Sequence, residues 1–511
     1  MAGAGNKYQI DMCRGPLFGK IVLFSVPLML SGILQLLFNA ADLVVIGRFA
    51  PHEAIAAVGA TSSLTGLIIN VFIGLSIGTN VLVANYYGAK ERRNVSRTVH
   101  TAILTAIIGG IFLTGAGVVL ARPLLTLMGT PDNVLDKACL YMWVYFSGMP
   151  FIMLYNFGSA IMRAVGDTRR PLYFLLFAGI VNVALNLFFV LVFHMDVAGV
   201  ALATVIAQGI AAWLVLRCLG QARDACRLRR RNLRIDPVIL KRMLWIGLPA
   251  GIQGMFFSIS NITIQSSVNS FGSLAMAGNT ATSSLEGFVY IGSNAFHQTV
   301  VSFVGQNLGG GRYDRIRRSI LYCMACSSVV CLVMGFGFLL DGRRLLAVYN
   351  SNPEVIAWGM LRMKVLFTTY FLCGMMDVVS GALRGTRALR DAGRHHVDRS
   401  LRAAGGLGMH CFSAAPDHGE SHALLSDHVG GDGCRQRSLS LLGVPEALPS
   451  RIRSREERLT RIRPASARTR GGGTVRGACF IESAPTGRGP PAPGNLTLIT
   501  VFFQNKAPFS I

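Results

Sequence analysis

One stretch of the sequence occurs twice, and it limits the possible folds more than any other feature. Residues 61–91 and 282–312 are equally long, begin with the same four residues and end on a polar residue, a glycine and basic residues. Further landmarks recur at nearly the same spacing: Pro27 and Pro249, Asn39 and Asn261, Pro131 and Pro353, Arg163 and Arg384. A similarity this long indicates a duplication of one large unit rather than an array of short repeats.

The composition places this duplicated unit in a membrane. Of the 511 residues, 51% are hydrophobic and 14% are charged, and the mean hydropathy is +0.47. Such a chain is too apolar for a soluble globular protein. The net charge of +24 would suit a nucleic-acid-binding protein, but it lies in short loops and in the last quarter of the chain. We interpret it as charge that orients a membrane protein, and we expect no nucleic-acid partner.

Ten apolar runs have about the 20 residues that are needed to cross a bilayer. They lie at roughly 21–47, 54–84, 96–120, 136–161, 171–193, 197–219, 240–270, 276–305, 317–340 and 355–383. Lys and Arg are concentrated in alternate loops, so the positive-inside rule predicts that these loops and the N-terminus are cytoplasmic. The first 20 residues do not have the pattern of a signal peptide. Six spans separate the two copies, which predicts two halves in the same orientation.

Several motifs resemble the multidrug and toxic compound extrusion (MATE) family over about residues 15–386. They are Val26-Pro27, Asn39-Ala40-Ala41-Asp42, Gly47-Arg48, Asn85-Tyr86-Tyr87-Gly88, Gln306-Asn307-Leu308-Gly309, and Ser159 and Ser380 four residues before Arg163 and Arg384. The resemblance implies an all-α polytopic membrane protein with two parallel-repeat bundles in a V around a central cavity. It also implies efflux of organic, often cationic compounds in exchange for Na⁺ or H⁺, without a cofactor.

Three acidic residues inside the spans are candidates for coupling transport to an ion. They are Asp42 in the first span, Glu286 in the eighth and Asp377 in the tenth. An ionisable side chain at membrane depth is costly, which makes it a functional candidate. The alternative for Asp42 is a hydrogen bond near the outer end of its span. For the other two acids it is a hydrogen bond to a neighbouring helix.

Polar uncharged side chains on the spans are candidates for lining the cavity: Gln35, Asn39, Asn182, Asn186, Gln253 and Asn261. Hydrogen bonding between helices is the alternative role for each of them. His297 lies in the middle of the eighth span and could join a proton path. The resemblance leaves Na⁺ and H⁺ open. Sodium-coupled members have an acid near Phe257-Ser258 of this sequence, and proton-coupled archaeal members have an aspartate where this sequence has Asn186.

The sequence contains no motif that predicts an enzyme. It has no phosphate-binding loop, nucleophile elbow or paired zinc-ligand motif. Cys323 and Cys326 have CxxC spacing, but they lie inside an apolar run without a second pair, so packing thiols are the favoured interpretation. We therefore expect no metal site.

The last quarter of the chain departs from the pattern, because 387–511 is rich in Arg and has no run long enough to cross a bilayer. We expect this tail to be disordered and to result from a change of reading frame near Arg387. The predicted organisation is a cytoplasmic segment 1–20, a six-helix bundle 21–220, a basic linker 221–239, four helices of an expected six in 240–386, and the tail. The predicted function is a monomeric multidrug antiporter in the bacterial inner membrane. The alternatives are a lipid-linked oligosaccharide flippase and a non-transporting membrane scaffold.

Overall fold

The computed structural model of the protein describes residues 8–49, 52–128, 130–222, 224–269 and 272–387. Within these ranges the chain forms helices and short connections only, as predicted. The helices are α1 (Leu17–Phe49), α2 (His52–Gly88), α3 (Arg92–Leu127), α4 (Asp132–Ser147), α5 (Met149–Ala164), α6 (Arg169–Leu191), α7 (Val197–Gln221), α8 (Pro237–Asn269), α9 (Ser273–Gly309), α10 (Tyr313–Leu340), α11 (Gly342–Ala347) and α12 (Pro353–Thr386), with a 3₁₀ turn at Arg230–Asn232.

Most of these helices can cross a membrane. Among the described residues, α1, α3, α6, α7, α8, α10 and α12 are each long and apolar enough, and α4 with α5 forms an eighth candidate. The chain is therefore a multi-pass membrane protein. The second and eighth predicted spans correspond to α2 and α9, which have 37 residues each. At about 1.5 Å per residue each is about 55 Å long, well beyond a hydrocarbon core of about 30 Å.

The fourth predicted span is not one helix, because α4 and α5 meet at a 47° bend. Pro150, in the first turn of α5, has no amide hydrogen to donate to the carbonyl oxygen of Phe146 one turn earlier. The hydroxyl of Thr114 on α3 donates to that oxygen instead, at 2.7 Å. The hydrogen bond that proline removes is thus replaced by a neighbouring helix.

The two copies of the repeated stretch cross each other where they end. A Cβ atom on Gly88 of α2 would overlap the carbonyl oxygen of Gln306, and one on Gly309 of α9 would overlap the carbonyl oxygen of Asn85. Glycine is required at both positions because the two backbones touch there. The glycines that mark the repeat therefore form a close backbone contact between the halves, at the end that adjoins the basic loops.

The first helix of each half packs against the second helix of the other half. On α1, Phe24 packs edge to face with Phe303 of α9, and the hydroxyls of Ser25 and Thr299 are 2.8 Å apart. On α8, Gly247 lies against the backbone of Gly74 of α2. The later part of α1 returns to its own half, where it contacts α6. Helix α1 thus bridges the two halves.

The predicted tail from residue 388 onward lies outside the described residues, so its disorder and the predicted domain limits remain predictions. Pro27 and Pro249 lie inside α1 and α8, at equivalent places in the two halves. In the described range, the second half contains four long helices, α8, α9, α10 and α12. The first half has counterparts of these four and, in addition, α6 and α7.

Candidate functional site

Asp42 lies in a polar network formed by three helices of the first half. The side-chain amide nitrogen of Asn186 on α6 donates to Oδ1 of Asp42 on α1 at 2.5 Å. Asn182, one turn before Asn186 on the same face of α6, accepts a second hydrogen bond from that amide at 3.4 Å and donates to Thr204 of α7 at 3.3 Å. Asn182 and Asn186 are buried, whereas Asp42 is half-buried. The network joins an acid to two amides and a hydroxyl.

This arrangement suits a carboxylate that binds and releases a proton or another cation. One hydrogen bond from Nδ2 of Asn186 stabilises Asp42 in its ionised form, whereas Oδ1 of Asn186 is buried without a hydrogen-bond partner among the described residues. An amide can turn over and present its oxygen instead of its nitrogen. In that orientation Asn186 can accept from a protonated Asp42 or help to bind a cation beside it.

A second acid is neutralised by an arginine. Arg362 of α12 forms an ion pair with Glu286 of α9, with 2.8 Å between Nη2 and Oε2. The same guanidinium donates to the backbone carbonyl of Asn279 and to the hydroxyl of Ser283, both at 2.5 Å. The side chain of Arg362 is 12% exposed and that of Glu286 is 24% exposed. Glu286 is therefore held by a resident cation rather than left open to a transported one.

The third acid, Asp377 of α12, lies beside a buried histidine. The hydroxyl of Ser293 donates to the carboxylate of Asp377 at 3.3 Å. Nδ1 of His297 is 2.7 Å from the backbone carbonyl oxygen of Asp377, and Nε2 is 3.0 Å from Nη1 of Arg384. Arg384 also donates to Oε1 of Gln253 on α8 at 2.7 Å.

These contacts fix which ring nitrogen of His297 carries the proton. A carbonyl oxygen only accepts and an arginine only donates, so Nδ1 donates to Asp377 and Nε2 accepts from Arg384. Protonation of Nε2 would require breaking the Arg384 contact and would place two cations side by side. His297 therefore serves in this structure as a neutral connector between α9 and α12 rather than as a free proton carrier.

The structure distributes the six predicted cavity residues among different environments. Asn182 and Asn186 join the Asp42 network, and Gln253 is bound to Arg384. Gln35, Asn39 and Asn261 are exposed side chains on α1 and α8. The three acids do not share one set of partners: Asp42 belongs to the first half, and Glu286 and Asp377 of the second half form hydrogen bonds with different residues.

Sequence reasoning included Asn182 and Asn186 among the cavity candidates but missed the other residues around these acids. Arg362 lies within the predicted tenth span, so a search for basic as well as acidic residues inside apolar runs would have found it. Thr204 and Ser293 carry no such signal, because hydroxyls are common in membrane helices and usually bond to their own backbone.

A family model confirms the resemblance in both halves. The MatE model matches residues 27–188 and 249–392, which together form more than half of the chain. The two matches correspond to the two copies of the repeat.

Similar proteins with assigned names agree. The chain is 28% identical to the probable multidrug resistance protein YoeA of Bacillus subtilis (strain 168) over 372 residues, which cover 71% of this chain and 80% of that protein. It is 25% identical to the FAD transporter of Shewanella oneidensis over 378 residues, which cover 71% of this chain and 82% of that one.

A solved structure shows the same fold. A multidrug resistance MATE family transporter of the MOP superfamily, in an outward-facing conformation, superposes with a TM-score of 0.70 at 20% identity, over 78% of this chain and 87% of that chain. Two of these similar proteins are named as transporters, and the third is named as a probable multidrug resistance protein. With both halves matched by the family model and the fold shared, this chain belongs to the MATE family of secondary membrane transporters.

Proposed function

We propose that this chain exports organic, often cationic compounds in exchange for Na⁺ or H⁺, and that Asp42 is the coupling carboxylate. The observation that carries the proposal is the contact between Asp42 and Asn186, with its unpaired amide oxygen. Glu286 and Asp377 are weaker candidates, because the first is paired with Arg362 and the second lies in a cluster that contains Arg384.

The Asn186 amide gives the coupling step a physical basis. With Asp42 ionised, the amide donates to it. When a proton or Na⁺ arrives, the amide turns over and presents its oxygen, so the network on α1, α6 and α7 changes its hydrogen bonds. An ion moves a conformational equilibrium only through such a difference in contacts between states. Ion binding therefore acts on the helices through this change in the hydrogen bonds of Asn186.

The orientation follows from charge and from the contacts between the halves. The basic loops favour a cytoplasmic position for the N-terminus and for the ends of α2 and α9 in the cell membrane. The halves touch at these ends, through Gly88 and Gly309. We propose that the structure is closed toward the cytoplasm, and that export requires the halves to rock so that this contact opens.

The test is ion-driven efflux from proteoliposomes by a version whose reading frame is restored after Thr386. Asp42→Asn should lower the initial rate at least about tenfold, because no charge remains in the network to bind the ion. Asp136→Asn, at an exposed acid of α4, is the matched control and should transport normally. Imposing a Na⁺ gradient and a pH gradient separately identifies the ion. Normal efflux by Asp42→Asn under both gradients would contradict the role of Asp42.

We also propose that the reading frame changes near Arg387 and that this chain transports poorly. The matches cover 80% and 85% of two relatives, so part of each has no aligned counterpart in this chain. Helices α6 and α7 have no counterparts in the described second half, which leaves apolar faces of α8 and α12 without their usual neighbours. Translating the gene in its other two frames should reveal two apolar spans. If neither frame encodes them, this explanation is wrong.

A second cargo class is favoured by one observation. Arg384 of α12 makes hydrogen bonds to the neutral side chains of Gln253 and His297, so its charge can attract an anionic cargo such as a flavin nucleotide or the lipid-linked pyrophosphate of an oligosaccharide flippase. One similar protein is named as an FAD transporter. Parallel efflux assays with a fluorescent organic cation and with a flavin would separate these cargoes. Export of the flavin alone would replace the cationic proposal.

A further inference from the structure

The nine residues before α1, Tyr8–Pro16, form an ordered segment that we call the strap. The ammonium group of Lys20 on α1 donates to the backbone carbonyls of Asp11 and Arg14, both at 2.7 Å. The backbone amide of Cys13 donates to the carboxylate of Asp11 at 2.9 Å. The strap is therefore shaped by contacts within itself and with its own helix, at the basic end of the molecule.

The beginning of the strap is bound to the first half. Three contacts hold it. The backbone amide of Ile10 donates to the carbonyl of Gly166 at 3.2 Å, and the side-chain amide of Gln9 donates to the carboxylate of Asp224 at 2.7 Å. The guanidinium of Arg170 lies 5.3 Å from the centroid of the Tyr8 ring. Gly166 has φ +96°, and a Cβ there would overlap the backbone of Ile10. The backbone of the strap can lie against this turn between α5 and α6 only because residue 166 is a glycine.

The end of the strap is bound to the second half. Met12 is fully buried among side chains of α9 and α10, including Phe303 and Ile316. Its backbone carbonyl accepts hydrogen bonds from Asn307 of α9 at 3.3 Å and from Arg315 of α10 at 3.2 Å. Arg315 also donates to the carbonyl of Gly15 at 3.1 Å.

The equivalent segment before α8 behaves differently. Its amides at Arg229 and Asp236 donate to His100 and Thr101 of α3, at 3.0 and 3.1 Å, and Asp236 forms an ion pair with Arg97 of the same helix. All these partners lie in the first half. Among the described contacts, hydrogen bonding to helices of both halves is thus a property of the strap that the segment before α8 does not share.

We propose that the strap is a latch that holds the basic ends of the two halves together. One residue, Asp11, separates the anchor on the first half at Ile10 from the anchor on the second half at Met12. Because a chain extends by at most about 3.6 Å per residue, the strap has almost no slack. Separation of the halves at this end must therefore break one of the two anchors.

The latch rests on the proposed rocking of the halves, and its expected effect is on the conformational equilibrium. Releasing either anchor should favour the conformation with separated basic ends. Releasing both should add little to releasing one, because a latch that is open at one end no longer holds. This lack of additivity distinguishes one bridging element from two independent surface contacts.

The experiment measures the distance between spin labels on non-canonical amino acids at Arg93 and Arg318, in the full chain in lipid nanodiscs. Ile10→Pro, which removes the amide that donates to Gly166, releases the first anchor. Met12→Ala with Arg315→Ala removes the buried side chain and the guanidinium of the second anchor, and a triple variant releases both. Arg317→Ala, an exposed neighbour on α10, is the control. We expect the long-distance population to rise about fivefold in each released variant, in line with the loss of one modest hydrogen-bonded contact. It should rise no further in the triple variant.

Two results would overturn the proposal. Distance distributions that stay like those of the control in every variant would show that the strap only covers the surface. Increases that multiply in the triple variant would show two independent contacts. Both readouts are independent of transport, so a chain that exports nothing can still confirm the latch, and a failed latch leaves the antiport proposal standing.

Discussion

The two halves share a backbone plan but hold their charges differently. In the first half, Asp42 faces amides and a hydroxyl, and no lysine or arginine of the described residues pairs with it. In the second half, Glu286 is paired with Arg362, and the positions 221 residues earlier, Thr65 and Tyr141, are uncharged. Duplication thus preserved the glycine contacts that let the halves meet, while the charged side chains diverged. The difference teaches that equivalent helices need not carry equivalent functions.

The largest expected effect tests a feature that the halves share, the glycine at the end of each copy of the repeat. Gly88→Ala and Gly309→Ala should each destabilise the protein by about 3 kcal/mol or more, because a methyl group meets backbone that cannot rotate away. The measurement is thermal unfolding in detergent. Gly115→Ala and Gly337→Ala, where an added Cβ meets no atom within 4 Å, are the controls. Unequal losses at Gly88 and Gly309 would break the equivalence of the two copies.

The next effect tests the charge difference directly. Arg362→Ala should cost about 2–3 kcal/mol, somewhat less than for a fully buried pair, because Glu286 is left without its cation but retains some access to solvent. The double variant Glu286→Thr with Arg362→Tyr, which copies the first half, should lose only about 1 kcal/mol. Chemical denaturation of the purified protein gives both values. If the double variant were the less stable one, the ion pair would be more than a local charge balance.

A smaller effect sharpens the assignment of His297. His297→Leu should cost about 1–2 kcal/mol, because the carbonyl of Asp377 and the guanidinium of Arg384 both lose a partner. His297→Gln, whose amide can donate to one and accept from the other, should recover most of the loss. Melting temperatures of the two variants provide the comparison. Equal destabilisation by Leu and Gln would show that packing rather than hydrogen bonding makes this position important.

The smallest expected effect concerns Asp236, in the segment that precedes α8. Burial alone would raise the pKa of Asp236, but hydrogen bonds from the amides of Ile239 and Val238 and the guanidinium of Arg97 hold it below its usual value of 3.8. The carboxylate therefore stabilises the fold above about pH 3.8, and this contribution disappears as the pH falls through the lower folded pKa. Asp236→Asn should be less stable than the parent at pH 7, and the two should converge in acid. A constant difference at every pH would exclude the charge as its cause.

The helices and the duplication were predictable because both leave long patterns in the sequence. Nine of the ten apolar runs each correspond to one helix, whereas the fourth, predicted as one span, is divided into α4 and α5 by a bend of 47°. The contact between Asp42 and Asn186 was not predictable, because nothing local specifies which helices adjoin across 144 residues. The packing of α1 against α9 was hidden for a related reason: apolar helix faces look alike and do not name their partners.

The packing of α1 against α9 of the other half has a consequence for how the protein is synthesised. Helix α1 leaves the ribosome early, whereas its partner α9 is complete only at residue 309. At about 5–20 residues per second, roughly a quarter of a minute to nearly a minute passes between the two. During that interval Ser25 and the apolar face of α1 are exposed to lipid or to the insertion machinery. The packing of the first part of α1 must therefore wait for the second half, whereas its later part can pack on α6 before α9 is made.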